Sequence, residues 1–262
     1  MVTKLINFWR KSTLDGPLFA HPEDLPVLHQ KGSSFIQNIP TSFDKFIEDP
    51  GFDEPRLHLR LLPQPYSGNL RTAEIVVLLL NPGLTHSDYW GETRMATFRK
   101  RLKGNLWQSF EGVQFPFMWL DPEFCWHGGF IWWERKLREV INTIAREKFD
   151  GRYLDAMRDL SSKLVCLELV PYHSFSFGAH KLIYELPSVK IMREFVSEQL
   201  VPEAKNGELT MIATRQQKAW GLPDGEKHIV IYKGGHTRGA SLSPNSEGGK
   251  AILRRYGIRS GD

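Results

Sequence analysis

Glu74-Ile75-Val76-Val77-Leu78-Leu79-Leu80-Asn81-Pro82-Gly83-Leu84 decides the fold. Six apolar residues, Ile75 to Leu80, run without a break and stop at Asn-Pro-Gly. A run this short, rich in β-branched residues and closed by turn formers, reads as a strand rather than a helix. Apolar side chains on both of its faces predict a strand covered on both sides, as in a parallel sheet between helices. An amide, a rigid residue and a residue without a side chain make either a plain turn or the lip of an active site.

Three similar runs follow at Leu164–Val170, Leu209–Ala213 and Ile229–Tyr232. Between the Ile75–Leu80 run and the Leu164–Val170 run lies Ile131–Phe149, with Trp133, Leu137, Val140, Ile141 and Ile144 at helical spacing. Ser188 can cap a helix carrying Ile191, Met192, Phe195 and Leu200. Asn245 or Ser246 can cap a last one through Ala251, Ile252 and Tyr256. Strands alternating with helices predict a single α/β domain, three layers α/β/α, around a central four-stranded parallel sheet. Residues 74–256 are expected to form this core. Residues 1–70 are proline-rich, lack long periodic segments and read as an irregular N-terminal extension packed on it. Their one helix candidate is Thr41–Glu48, with Phe43, Phe46 and Ile47 on one face.

The 262 residues, 41% hydrophobic and 12% aromatic, suffice for one sizeable core. No apolar run is long enough to span a bilayer, and Met1–Arg10 has too short an apolar stretch for a signal peptide. Two cysteines, Cys125 and Cys166, cannot build a four-thiolate site; both read as reduced and structural in a cytoplasmic monomer. The formal charge of +4 is mild but unevenly spread: Arg94, Arg99, Lys100, Arg101 and Lys103 lie close together, and Arg254 and Arg255 form a second pair. Such runs are either solvated faces or footprints for a polyanion.

In a parallel α/β sheet the ligand crevice lies beyond the carboxyl ends of the strands. There the sequence places Asn81-Pro82-Gly83-Leu84, then Glu168 through Ser174, then Thr214 to Gln217, then Gly234 through Pro244. An amide, a carboxylate, imidazoles, hydroxyls and glycines gather at these positions. No phosphate-binding glycine fingerprint, no G-x-S-x-G elbow and no H-E-x-x-H helix is present. These absences weaken readings as an NTPase, a nucleotide-cofactor enzyme, an esterase or a zinc protease. No metal and no cofactor are expected.

Asn81-Pro82-Gly83-Leu84 resembles the first motif of the mismatch-specific uracil/thymine branch of the uracil-DNA glycosylase superfamily. His236-Thr237-Arg238-Gly239-Ala240-Ser241 resembles the second motif, with His236, Gly239 and Ser241 at matching positions. Phe115-Pro116-Phe117 is similar to the segment that supplies a stacking aromatic. The resemblance spans roughly residues 74 to 256 and implies a DNA partner, a four-stranded parallel sheet and base excision. Thr237 and Arg238 depart from the family's Pro-Ser. Ala240 stands where an apolar wedge is common, leaving Leu242 as a candidate. Tyr89 to Gly112 looks like an insertion.

On that resemblance Asn81 holds the attacking water and His236 donates to the departing base, the two catalytic positions. Phe115 or Phe117 stacks on the flipped base; Pro82, Gly83, Glu168 and Ser241 line the substrate site. Arg99, Lys100, Arg101 and Arg238 neutralise phosphates. Gly83 replaces a tyrosine that would block a 5-substituent, and Glu168 replaces an asparagine that reads uracil. A carboxylate accepts from cytosine N4–H and repels the O4 of uracil unless protonated. Together they point to a 5-modified cytosine, as in phage DNA, and so to a defence role. The alternatives are a uracil or thymine mismatch repair glycosylase, a non-catalytic nucleic-acid binder on the same scaffold, or a hydrolase of free nucleosides. The competing reading of Glu168 is an ion pair with a lysine or arginine.

Overall fold

The computed structural model describes residues 1–14, 18–31, 33–36, 48, 52–233 and 241–259. In chain order the helices are α1 (Val2–Trp9), α2 (Leu25–Lys31), α3 (His86–Arg94), α4 (Ala96–Leu106), α5 (Gly128–Lys148) and α6 (Tyr153–Lys163). They continue with α7 (Pro187–Phe195), α8 (Val201–Lys205), α9 (Gln217–Trp220) and α10 (Glu247–Arg255). The strands are β1 (Tyr66–Ser67), β2 (Ile75–Leu79), β3 (Leu164–Glu168), β4 (Thr210–Ala213) and β5 (Ile229–Ile231). The helix expected at Thr41–Glu48 lies outside the described residues except for Glu48.

The protein is mixed α/β with a mostly parallel sheet in the order β1-β3-β2-β4-β5. β2 runs parallel to β4 from Ile75 opposite Thr210 to Leu78 opposite Ala213, and β4 runs parallel to β5. The sheet therefore has five strands, not the expected four. The addition is the two-residue edge strand β1, too short to leave a periodic signal in the sequence. The apolar run of β2 is buried from Ile75 to Leu78, as a doubly covered strand requires.

The contacts of the chain fall into two compact units. One comprises Met1–Tyr66, Leu80–Ser109 and Glu168–Phe195; the other comprises Ser67–Leu79, Phe110–Leu167 and Val196–Asp262. The second unit carries most of the sheet with α5, α6 and α10. Trp133, Leu137, Val140, Ile141 and Ile144 of α5 are buried, the stripe its 3.6-residue period predicts. Ser246 caps α10 by accepting from the Gly249 N–H at 3.0 Å. Gly249 is required by close approach, since a Cβ there would lie 1.8 Å from the Ser243 carbonyl oxygen. Arg255 belongs to the fold: it pairs with Glu74 at 3.1 Å and donates to the carbonyls of Gly207 and Glu208. The helix expected through Leu200 is interrupted by a π-turn at Val196–Leu200. Pro202 lacks the N–H that an unbroken helix would direct at the Glu198 carbonyl.

In the first unit the described N-terminal residues form more regular structure than their composition suggests. Leu5, Ile6, Phe8 and Trp9 of α1 are buried, and α1 packs against α7. Asp24 ties this region down: its carboxylate accepts from the Ser188 N–H at 2.9 Å, at the start of α7, and from the Tyr172 hydroxyl at 2.5 Å. The stretch read as an insertion folds into α3 and α4. A capping box starts α3, Thr85 and Asp88 each bonding the other's backbone N–H. Both cysteines are free, but Cys125 is exposed rather than buried. Among the described residues no helix is long and apolar enough to cross a membrane.

Candidate functional site

Within the first unit the chain leaves β2 as Leu80–Leu84 and leaves β3 as Leu169–Ser174, and these two exits are laced together. The Val170 N–H donates to the Leu80 carbonyl at 2.8 Å, and the Ser174 N–H reaches the Pro82 carbonyl at 3.3 Å. The segment ahead of β1 adds a second rail: the N–H groups of His58 and Gln64 donate to the carbonyls of His173 and Pro171, both at 2.8 Å. The lip is thus backbone-braced on two sides before any side chain acts.

Asn81 sits half-buried at its centre. Its Nδ2 lies 2.8 Å from the Pro82 carbonyl, 3.2 Å from the Tyr172 carbonyl and 2.8 Å from Ser174 Oγ. Two of these neighbours are carbonyls, which only accept, so the amide orientation is forced and the NH2 faces inward. Oδ1 is the atom left over, with no partner among the described residues. A fixed amide oxygen at a strand lip can hold a water or a substrate N–H.

Tyr172 and His173 support this arrangement. The Tyr172 hydroxyl receives the His21 N–H at 3.1 Å and donates to Asp24. Burial pushes the pKa of Tyr172 well above the phenolic range and that of Asp24 above the usual carboxylate range. His173 is buried, with Nδ1 2.7 Å from the Gly83 carbonyl, so Nδ1 carries the proton and donates. The Asp88 carboxylate stands 3.9 Å from the same nitrogen. Gly83 itself is exposed, its φ is not in the left-handed region, and a Cβ there would meet nothing within 4 Å.

Glu168 closes β3 at 7% exposure. Neither carboxyl oxygen has a hydrogen-bond partner among the described residues, and Oε2 is wholly buried. The expected alternative, an ion pair with a lysine or arginine, is therefore not made there. Burial without a compensating charge raises its pKa well above the ordinary carboxylate value. The shift favours the neutral form, and a neutral carboxyl offers one donor and one acceptor where a carboxylate only accepts. Glu92 of α3 is a second buried acid. Both of its oxygens accept from the Leu62 N–H, at 3.0 and 3.1 Å, and desolvation pushes its pKa up to about 8.

The remaining expected site residues divide. Pro82 is buried beneath the lip. Phe117, expected to stack on a base, is 0% exposed with its ring edge-on to Trp133 at 4.8 Å; it is a core residue of the second unit. Phe115 is 6% exposed beneath the Arg158 guanidinium, 5.5 Å from its ring centre. Leu242, the wedge candidate, is 1% exposed and so is also core. Ser241 is exposed, its hydroxyl 3.1 Å from Ser243 Oγ in the turn before α10. Of the cation run, Lys100 is exposed. Arg99 is turned into the fold, over the Phe19 ring at 5.4 Å and donating to the Leu14 carbonyl, and Arg101 is half-buried. His236 and Arg238 lie outside the described residues.

Several residues of the lip had no weight in the sequence reading. Ser174 and Tyr172 were visible only as residues following a strand, and their bonds to Asn81 follow from how the two exits pair. Asp24 is far from them in sequence and gave no signal. No cluster of His, Cys, Asp and Glu suited to a metal is found among the described residues. Compared with known proteins, the chain matches no family model, no curated protein and no solved structure.

Proposed function

We propose that the chain is a DNA glycosylase that hydrolyses the N-glycosidic bond of a flipped-out pyrimidine, on a sheet of the uracil-DNA glycosylase type. The observation that carries this is Asn81: a half-buried amide at a strand end, its NH2 tied to three protein oxygens and its Oδ1 without a partner among the described residues. That geometry suits a water held for attack on the sugar C1′. The water oxygen bonds to C1′ as the C1′–N bond breaks, the bond electrons leave with the base, and the water proton passes on to solvent. Free base and an abasic site result. Asn81 cannot take the proton as a carboxylate would, so the reaction needs a stabilised leaving group. His236 keeps its expected role as a donor to the departing base.

Glu168 supports a pyrimidine edge. As a neutral carboxyl it accepts from cytosine N4–H while donating to N3, or donates to uracil O4 while accepting from N3–H. The protonation of Glu168 therefore decides whether uracil is admitted beside cytosine, and preference for a 5-modified pyrimidine rests on the open space at Gly83. A phage-type modified cytosine remains the proposed substrate, with a defence role following from it. The second reading is nucleic-acid binding without chemistry; the packing of Phe117 in the core, away from any base, favours it.

Mass spectrometry of bases released from DNAs carrying uracil, thymine mismatches or 5-modified cytosines tests the proposal. Release of a 5-modified base by the wild type, lost in Asn81→Ala with DNA binding retained, is the expected result. No release from any of these DNAs sinks the enzyme reading and leaves the binder.

A further inference from the structure

The first unit carries an aromatic surface that the proposed chemistry does not use. His86, the first residue of α3, lies flat on Phe52, ring centres 4.1 Å apart and planes 8° from parallel. Phe175, next in the chain after Ser174, meets the same Phe52 ring edge-on at 6.2 Å. Phe52 is buried with Leu61, Leu84 and Tyr89, so it forms a floor under the two outer rings. Phe175 is 53% exposed, and His86 is exposed as well. Both flank the Asn81–Gly83 lip: Phe175 through Ser174, which bonds Asn81, and His86 through Thr85, two residues past Gly83.

The surface continues along α3. His86, Trp90 and Arg94 are spaced i, i+4, i+8 and so share one face, about 6 Å apart along the axis. Trp90 is 42% exposed and Arg94 is exposed. His86 and Trp90 are exposed on this face, while the buried residues of α3 are Asp88, Tyr89, Gly91 and Glu92.

Charge identifies the occupant. Residues 86–106 hold five cations, Arg94 through Lys103, against Asp88 and Glu92. Both acids are buried, Asp88 in the capping box and Glu92 on the Leu62 N–H, so the exposed charge of α3 and α4 is positive. Residues 171–193, which include Phe175, add Lys181, Lys190 and Arg193 against Glu185. The opposing exposed charges near Phe52 in the chain are Glu48 and Asp53; Glu54 is paired with Arg56 at 2.7 Å. Exposed rings interleaved with cations are what an unpaired nucleic-acid strand requires, with bases stacking on rings and phosphates on cations.

We infer that Phe175, His86 and Trp90 form a stacking track for an unpaired nucleic-acid strand leading to the Asn81 lip, with Arg94 taking a phosphate. This gives the insertion that forms α3 and α4 a role. The inference rests on the proposed nucleic-acid substrate but not on catalysis.

Fluorescence anisotropy with a plain oligothymidylate of about a dozen nucleotides, and with a duplex of the same length, reads it. These probes contain no modified base, so binding is measured apart from excision. The single strand is expected to bind more tightly than the duplex. Trp90→Ala and Phe175→Ala are each expected to weaken that binding roughly tenfold, the scale of losing one stacked base. Trp90→Phe, which keeps a ring face, restores most of it. Arg94→Gln is expected to reduce the salt slope by about one. Thermal melts matching the wild type confirm that these exposed substitutions leave the fold intact. No binding of the single strand, an equal or tighter duplex, or variants that bind as the wild type each overturn the track. Base release with unchanged variants would remove the track alone. Lost affinity in the variants with no base release would remove the glycosylase reading alone.

Discussion

Two Phe-x-Phe segments meet opposite fates. Phe115-Pro116-Phe117, the one singled out for resemblance to a base-stacking segment, is packed away. Phe117 is sealed against Trp133, and its backbone N–H donates to Ser161 Oγ at 3.0 Å. Phe175-Ser176-Phe177, which no motif marked, leaves Phe175 half in water beside the polar lip. A segment's letters do not say which face of its element looks inward. That is set by what packs on it: α5 supplies Trp133 against Phe117, whereas the turn after Ser174 has Phe52 on one side and solvent on the other. The first segment should therefore govern stability and the second should govern ligand affinity.

The largest expected effect tests that division directly. Phe117→Ala should cost about 3–5 kcal/mol of unfolding free energy, the usual range for emptying a buried phenylalanine site. Phe175→Ala should stay within about 0.5 kcal/mol of the wild type. Urea unfolding of both measures the difference. Equal losses would place Phe175 in the core and void the comparison.

The second effect is an exception within the lip's own unit, where a charge rather than a ring governs stability. Glu92 holds its proton up to about pH 8 when folded, because burial disfavours the anion and Asp88 adds repulsion, while Arg99 and the Leu62 N–H oppose the shift. The unfolded chain releases that proton near 4.5, the ordinary value for a glutamate. The folded pKa is the higher one. The stabilisation is complete below about pH 4.5 and is lost as pH rises through about 8. The loss is on the order of a few kcal/mol. Glu92→Gln keeps an oxygen for the Leu62 N–H and cannot ionise, so its unfolding free energy should depend less on pH across this window. Parallel curves for the two proteins would mean that Glu92 titrates normally.

What could be read from the sequence followed from side-chain period. The runs beginning at Ile75, Leu164, Leu209 and Ile229 all became strands, and the Ser246 cap and the α5 stripe formed as expected. Periodicity was silent where structure depends on few residues or on distant partners. β1 is two residues long, and α3 begins with a capping box but carries a mixed face with buried Asp88 and Glu92. At the site, Asn81 and Glu168 stood out because they end apolar runs. Their supports did not, since Ser174 and Tyr172 are brought to Asn81 by the pairing of two strand exits and Asp24, distant in sequence, reaches only the Tyr172 hydroxyl of that group. The cation run misled in part because a run of charges carries no information about which members turn inward, as Arg99 does.

The support of Asn81 gives a third and smaller effect. Ser174 holds one of the three oxygens around Asn81 Nδ2. Ser174→Ala leaves the two carbonyls to orient the amide less tightly. On the proposed chemistry this should lower kcat about tenfold, the order of one hydrogen-bonded positioning contact, with little change in KM. A loss confined to KM would make Ser174 a binding residue and separate it from Asn81.

The smallest expected effect is at Gly83, and it is informative because it should be near zero. A glycine at a strand lip usually signals a backbone that other residues resist. Here φ is not left-handed and a Cβ would meet nothing within 4 Å, so neither strain nor overlap keeps alanine out. Gly83→Ala should melt within about 0.5 kcal/mol of the wild type and release base at a similar rate. The open space then belongs to the ligand rather than to the fold. Gly83→Tyr fills it, and should block pyrimidines with large 5-substituents while sparing small ones, a selective loss that a folding defect would not produce. If Gly83→Ala already loses stability, the glycine serves the turn; if Gly83→Tyr slows all substrates alike, the space at Gly83 does not face the pyrimidine 5-position.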